Sequence, residues 1–224
     1  MSMGETRWWW VRHAPVPDGG RIYGQGDLDC DCSDARVFNA LARELPGEAV
    51  WLTSHLGRTR QTASAILTAM GRDPASAVPL AVPELAEQHL GDWQGLDRKD
   101  FFSKLDRTRH PFWFGPARER APNGESFQDL VERTAAAVER LSAEHHGRDI
   151  VAVTHGGTIR AALALALRLD ADAALAFVVE NCSVTRIDHL AGDPAARHWR
   201  VVAVNHRPWT RNVSASPHHG APVS

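Results

Sequence analysis

Two histidines in this chain share one local setting although they lie far apart. His13 closes the run Trp8-Trp9-Trp10-Val11-Arg12-His13, and His155 closes Ile150-Val151-Ala152-Val153-Thr154-His155 just before Gly156-Gly157. A neutral imidazole can attack an electrophile, and its ring N–H can donate to an oxyanion. Taken alone, His13 reads most simply as a strand-end histidine satisfied by a backbone carbonyl. Its companions change that reading. Arg12 precedes it, Arg58 lies in Thr53-Ser54-His55-Leu56-Gly57-Arg58-Thr59-Arg60-Gln61-Thr62-Ala63, and Glu87 lies in a carboxylate-bearing stretch from Glu84 to Gly95. Guanidinium groups match phosphate oxygens bidentately, and helix N-termini add backbone donors. Two arginines and two histidines converging on one edge make a positive pocket suited to a phosphate, with a glutamate at hand for proton transfer. The dipeptides alone carry little: Arg-His recurs at Arg109-His110 and Arg197-His198, and His-Gly at His146-Gly147 and His219-Gly220. Position after an apolar strand is what distinguishes His13 and His155.

The elements that must hold these groups follow from pattern. The run at 8–11 is too short for a helix, rich in aromatic residues, and followed by the breakers Pro15 and Gly19-Gly20, so it reads as a buried strand. Residues 15–32 form a long loop with Tyr23-Gly24-Gln25 and Cys30-Asp31-Cys32; a loop of this length in a compact domain is more often functional than idle. Ser33 is placed to cap a helix carrying Val37, Leu41 and Leu45, ended by Pro46-Gly47. A second strand at 49–53 leads into a helix with Ala63, Ile66, Leu67 and Met70 inward and Gly71 closing it. Prolines 74, 79 and 83 limit any strand there, leaving Glu84, Glu87 and Asp92 on an irregular loop. Residues 97–124 hold a short helix and then Phe112-Trp113-Phe114, either a satellite core under the loop or a substrate wall. An amphipathic helix at 125–144, a strand at 150–154 and a helix at 158–168 repeat the βα period. Strands at 183–189 and 198–204 are close enough to pair antiparallel. The expectation is an α/β fold, a three-layer α/β/α sandwich with a mostly parallel, mixed central sheet and its ligand beyond the strands' carboxyl ends. Residues 1–207 are expected to be the catalytic domain and 208–224, without periodicity, a flexible tail.

Composition narrows the class. The 224 residues carry 25 basic and 27 acidic side chains, a net charge of −2, with 43% hydrophobic content. That suits one soluble domain and offers no overall attraction to nucleic acid or an anionic membrane. No apolar run approaches the roughly 20 residues of a membrane span, and the first apolar run ends in charge, unlike a signal peptide. A cytoplasmic location is expected. Three cysteines cannot all pair, which fits a reducing compartment. Cys30-Asp31-Cys32 is more tightly spaced than zinc pairs usually are, and His218-His219 is isolated, so no metal site is expected. Oligomeric state stays open.

In order and spacing, these motifs resemble the histidine phosphatase superfamily, the phosphoglycerate-mutase-like group. Arg12-His13-Ala14 is similar to its Arg-His-Gly signature, residues 53–63 to its second arginine motif, Leu85-Ala86-Glu87 through Gly91-Asp92-Trp93-Gln94-Gly95 to its acid loop, and Thr154-His155-Gly156 to its second histidine motif. The resemblance implies phosphomonoester hydrolysis through a phosphohistidine, without metal or other cofactor, on a small phosphorylated metabolite. His13 would be the nucleophile, Arg12, Arg58 and His155 would hold the phosphoryl oxygens, and Glu87 would protonate the leaving alcohol. Tyr23, Gly24, Gln25 and Gly156 are candidates for substrate contact. Ala14 departs from the family's glycine, and its methyl group could crowd the phosphate. The departure also leaves room for a catalytically silent phosphate-binding module, and phosphohistidine-protein phosphatases are short relatives too. Mutases of the group carry a longer insert; here only about 30 residues separate Gly95 from Glu125, which favours a phosphatase.

Overall fold

The computed structural model describes residues 4–73, 75–105, 110–190 and 198–210. Six strands form one sheet: β1 Glu5–Arg12, β2 Val50–Thr53, β3 Leu80–Ala81, β4 Asp149–Thr154, β5 Val184–Leu190 and β6 His198–His206, in the order β3-β2-β4-β1-β5-β6. The first four in that order are parallel; β5 and β6 are antiparallel additions, so the sheet is mixed as expected. Helices α1 Ala35–Glu44 and α2 Gly57–Ala69 cover one face, and α4 Phe127–Glu144 and α5 Gly156–Leu167 the other. Two short helices, α3 Arg98–Ser103 and α6 Ala171–Ala174, complete the set. Among the described residues no helix is long and apolar enough to cross a membrane.

The pleat of β1 divides its apolar residues between two cores. Trp8 and Trp10 stack at 4.8 Å against Val138 and Leu141 of α4 and Ile159 and Leu163 of α5. Trp8 places its indole N–H on Ser142 Oγ at 2.9 Å, which satisfies its polar atom inside the core. Val11 joins Val151 and Val153 against Phe38 and Leu41 of α1 and Ile66 and Leu67 of α2. Each large apolar side chain buried this way contributes about 1.5–3 kcal/mol.

Register is what assembles the site. Arg12 lies beside Thr154, Val11 beside Val153, and Thr53 also beside Val153, so β1, β4 and β2 end level with one another. The antiparallel β5 begins at Val184 opposite Val11, so the segment entering it arrives at the same edge.

Three expectations need correction. The cap of α1 is Asp34 rather than Ser33: the Asp34 carboxylate accepts from Arg36 N, while Ser33 N is bound to Asp31. Helix α5 starts at Gly156, two residues earlier than expected, because both glycines take helical geometry directly after His155. The chain is still folded at Pro208–Thr210, where Trp209 packs on the α1/α2 core. Residues 211–224, the rest of the expected tail, lie outside the described residues.

Candidate active site

Strand β1 delivers Arg12 and His13 to the sheet edge, where His13 N donates to Thr154 O at 2.9 Å. The His13 imidazole is 1% exposed, and its Nδ1 lies 2.7 Å from Ala14 O. A carbonyl only accepts, so Nδ1 carries the hydrogen and Nε2 keeps a bare lone pair. Burial, followed by the charges of Arg58 and Arg12, holds the His13 pKa well below its ordinary 6.5, so the ring is neutral. The backbone carbonyl foreseen for an ordinary strand-end histidine is thus present, and it fixes the tautomer that leaves Nε2 bare. Ala14 N donates to Thr62 Oγ1 at 2.9 Å, and the Ala14 methyl group belongs to the core between the sheet and α1/α2. The carbon expected to crowd a phosphate is instead part of the packing.

Helix α2 supplies Arg58, which is wholly buried. Its Nη1 and Nη2 donate to the carbonyls of Gly26 at 2.8 Å and Gly24 at 2.6 Å, and the guanidinium centre lies 5.0 Å from the Tyr23 ring centroid. Gly24 presents its carbonyl from a φ of +46°, a conformation few other residues adopt. Arg12 donates from Nη1 to Val179 O at 2.6 Å. His155, at the N-cap of α5, sets Nε2 2.8 Å from Ser54 Oγ. Ser54 Oγ accepts from Leu56 N, and Thr59 spends its hydroxyl hydrogen on Leu56 O, so the Ser54 hydrogen has two acceptors in reach, His155 Nε2 at 2.8 Å and Thr59 Oγ1 at 3.1 Å, and goes to the nearer. That assignment leaves the His155 hydrogen on Nδ1. Burial first, then Arg58, His13 and Arg12, keep His155 neutral as well, with its pKa well below 6.5.

Three buried atoms of this cluster, Arg12 Nε, Arg58 Nε and His155 Nδ1, have no hydrogen-bond partner among the described residues. An unmet buried donor costs about 1–3 kcal/mol, and more when charged. Three such donors, with the His13 and His155 ring centroids 5.2 Å apart, form a cradle for an oxyanion.

The structure separates Glu87 from its rivals. Glu84 pairs with Arg140 at 3.1 Å, Glu125 with Arg133 at 2.6 Å, and Asp92 accepts from Asn123. Among the described residues the Glu87 carboxylate accepts only backbone N–H groups, Gln88 at 2.9 Å and Gly157 at 3.2 Å. Its own carbonyl is held by Gln25 Nε2 at 2.8 Å and Arg133 Nη2 at 3.2 Å. Gln25, read as a substrate contact, therefore has its side chain committed to the acid loop. Tyr23 and Gly24 do line the cleft, together with Arg12, Glu87, Arg98 and Phe112-Trp113-Phe114, around about 430 Å³. Gly156 lies behind Arg12: a Cβ there would approach Arg12 Nε at 3.5 Å. Trp113 packs on Phe127 at 5.7 Å, as a satellite core would, while Phe112 and Phe114 line the cleft.

Several participants escaped the sequence reading. Ser54 orients His155, and Asn181 Nδ2 donates to His13 O at 2.8 Å from the segment entering β5. Arg160 stands four residues after Gly156 on the same face of α5, binds Phe177 O through Nε at 2.8 Å, and lies 5.1 Å from the Trp113 ring centroid. Its helical spacing was the one available signal. Burial brings its pKa down to about 10, offset in part by Glu87. Among the described residues no group of three or more His, Cys, Asp or Glu side chains could hold a metal ion.

A buried neutral histidine beside unmet cationic donors, with a carboxylate at the mouth, is an arrangement for phosphoryl transfer. Comparison with known proteins points the same way. The family model of the histidine phosphatase superfamily (branch 1) matches residues 4–202. The chain is 28% identical over 200 residues to a probable phosphoglycerate mutase of Serratia proteamaculans, covering 88% of this chain and 87% of that one. It is 32% identical to a metal-independent phosphoserine phosphatase of Arabidopsis thaliana, across 70% of this chain and 63% of the relative. Among solved structures, a mycobacterial glucosyl-3-phosphoglycerate phosphatase superposes with a TM-score of 0.76 at 27% identity, covering 90% and 99% of the two chains. The chain belongs to the histidine phosphatase superfamily, branch 1.

Proposed function

We propose that this protein hydrolyses the phosphomonoester of a small metabolite through a phosphohistidine at His13. The observation that carries the reading is the pairing of a bare His13 Nε2 with three unmet donors, Arg12 Nε, Arg58 Nε and His155 Nδ1. In the first half-reaction Nε2 attacks phosphorus, the P–N bond forms, the P–O bond to the leaving group breaks, and Glu87 gives that oxygen its proton. In the second, Glu87 takes a proton from water as the water attacks phosphorus and the P–N bond breaks. Arg12, Arg58 and His155 stabilise the charge that develops on the equatorial oxygens, which is most of the work in phosphoryl transfer. Positive charge comes from the arginines, so turnover is expected to survive exhaustive chelation.

The cleft above supports a substrate larger than phosphate alone. Its Phe102, Phe112 and Phe114 wall offers apolar surface to a leaving group that carries a ring. A sugar-phosphate or nucleoside-phosphate class fits that wall, in line with the glucosyl-3-phosphoglycerate named for the mycobacterial structure. The test is rapid alkaline quenching with labelled substrate, run beside a phosphomonoester screen under chelation. Acid-labile label is expected on His13 and absent from His13→Ala; label on His155, on a serine or on a cysteine would overturn the mechanism. Release of inorganic phosphate, rather than an isomeric phosphate ester, separates hydrolysis from a mutase reaction.

A further inference from the structure

The Cys30-Asp31-Cys32 motif plays no part in phosphate binding, yet it lies directly behind the phosphate site. The two sulfurs are 3.6 Å apart and half-buried. Cys30 Sγ is 3.3 Å from Arg58 O and 3.5 Å from Thr62 Oγ1. Thr62 Oγ1 donates to the same Arg58 carbonyl at 2.7 Å and receives Ala14 N at 2.9 Å. The dithiol thus touches the backbone of one phosphate ligand and, through one hydroxyl, the residue next to His13. Cys30 also closes the loop whose Gly24 and Gly26 carbonyls hold the Arg58 guanidinium. A surface depression lined by Cys30, Cys32, Arg60, Gln61, Ser64 and Ala65 gives solvent access to both sulfurs.

We propose that Cys30 and Cys32 form a hydroperoxide-oxidised dithiol whose disulfide disables the phosphate pocket. The Cys30 thiolate attacks one hydroperoxide oxygen, an S–O bond forms, the O–O bond breaks, and the departing oxygen takes a proton to leave as water or alcohol. Cys32 then attacks the Cys30 sulfenic sulfur; the S–S bond forms, the S–O bond breaks, and the hydroxide leaves with the Cys32 proton as water. Two thiols lose two electrons and two protons, and the hydroperoxide is reduced. Donation from Cys32 brings the Cys30 pKa down to about 7 against the effect of burial, while that of Cys32 is pushed up, which makes Cys30 the attacking sulfur. Closing the bond draws the sulfurs from 3.6 Å to about 2.05 Å. In this proposal the loop carrying Gly24 and Gly26 follows, and Arg58, held by their carbonyls, follows with it. Loss of activity rests on the phosphatase reading; formation of the disulfide does not.

The test uses the full chain treated with hydrogen peroxide, alkylated with iodoacetamide in guanidinium chloride and digested with trypsin. The peptide at 22–36 is expected lighter by two hydrogens and free of alkyl groups, with Cys182 still alkylated. Hydrolysis of para-nitrophenyl phosphate, followed in parallel, should fall roughly tenfold to a hundredfold and return with dithiothreitol. Cys30→Ser should keep under peroxide whatever activity it begins with, and peroxide-treated Cys32→Ser should trap one dimedone on Cys30. A 22–36 peptide that still takes two alkyl groups, or a disulfide that leaves hydrolysis unchanged, overturns the proposal; so does Cys30→Ser losing activity as fast as the native chain. A reduced enzyme inactive on every phosphomonoester would count against the phosphatase reading alone, because the peptide mass still reports on the dithiol.

Discussion

At the scale of single residues, the site distinguishes neighbours of the same type. Arg58 is wholly buried with its guanidinium clamped by two carbonyls, whereas Arg60, two residues along the helix, is exposed and donates to His55 O. Replacing Arg58 by glutamine should lower kcat by roughly 10²–10³, the usual cost of one transition-state donor. Arg60→Gln should stay within about twofold, since its donor never faces the phosphate; equal losses would contradict the assignment. Glu87 is tested by leaving group. Glu87→Gln should slow alkyl phosphates by roughly 10²–10⁴ and para-nitrophenyl phosphate far less, because a good leaving group needs little protonation. Were both substrates slowed alike, the proton donor would have to be another group, although Glu84 and Glu125 are already held by arginines of α4.

Helix α5 is the element on which geometry is tightest. His155 caps it, Gly157 N donates to Glu87, and a Cβ at Gly157 would collide with Glu87 Oε1 and approach Leu130 at 3.0 Å. Alanine is otherwise the better helix former, by about 1 kcal/mol. Gly157→Ala should therefore fold normally, with an unchanged circular dichroism spectrum, and lose activity on alkyl phosphates about as Glu87→Gln does. Activity close to the parent's would show that the carboxylate need not rest on α5. The two glycines after His155 were visible in sequence, but their purpose was not: the contact that demands Gly157 comes from a loop 70 residues earlier.

For the molecule as a whole, burying two neutral histidines makes stability depend on pH. In the unfolded chain each imidazole takes a proton near pH 6.5, while in the fold burial holds both values well below that. Between the folded and unfolded values the unfolded chain binds more protons, so stability rises with pH and is fully present above about 6.5. As pH falls it is lost, at up to about 1.4 kcal/mol per pH unit for each histidine. Urea midpoints should drop from about pH 7.5 to about pH 5.5, and less steeply in His155→Asn. Parallel curves for the two proteins would show that His155 carries a proton in the fold.

What the sequence determined by itself was local. Apolar runs ending at Arg12-His13, Thr53 and Thr154-His155, helical spacing after each, and the glycines and prolines between them were enough to place α/β units and point their ends at a phosphate. These signals come from burial and steric preferences acting over a few residues, and they survive without knowledge of the partner. Tertiary structure alone decided the rest. Strand register set the ends of β1, β2 and β4 level, Ala14 O chose the tautomer of His13, and Ser54 turned His155 toward the cradle. Arg140 and Arg133 of α4 claimed Glu84 and Glu125, while Glu87 has no ion pair among the described residues. Each of these choices is a hydrogen bond or ion pair whose energy exists only once distant segments have been brought within about 3 Å, so no local pattern could encode it.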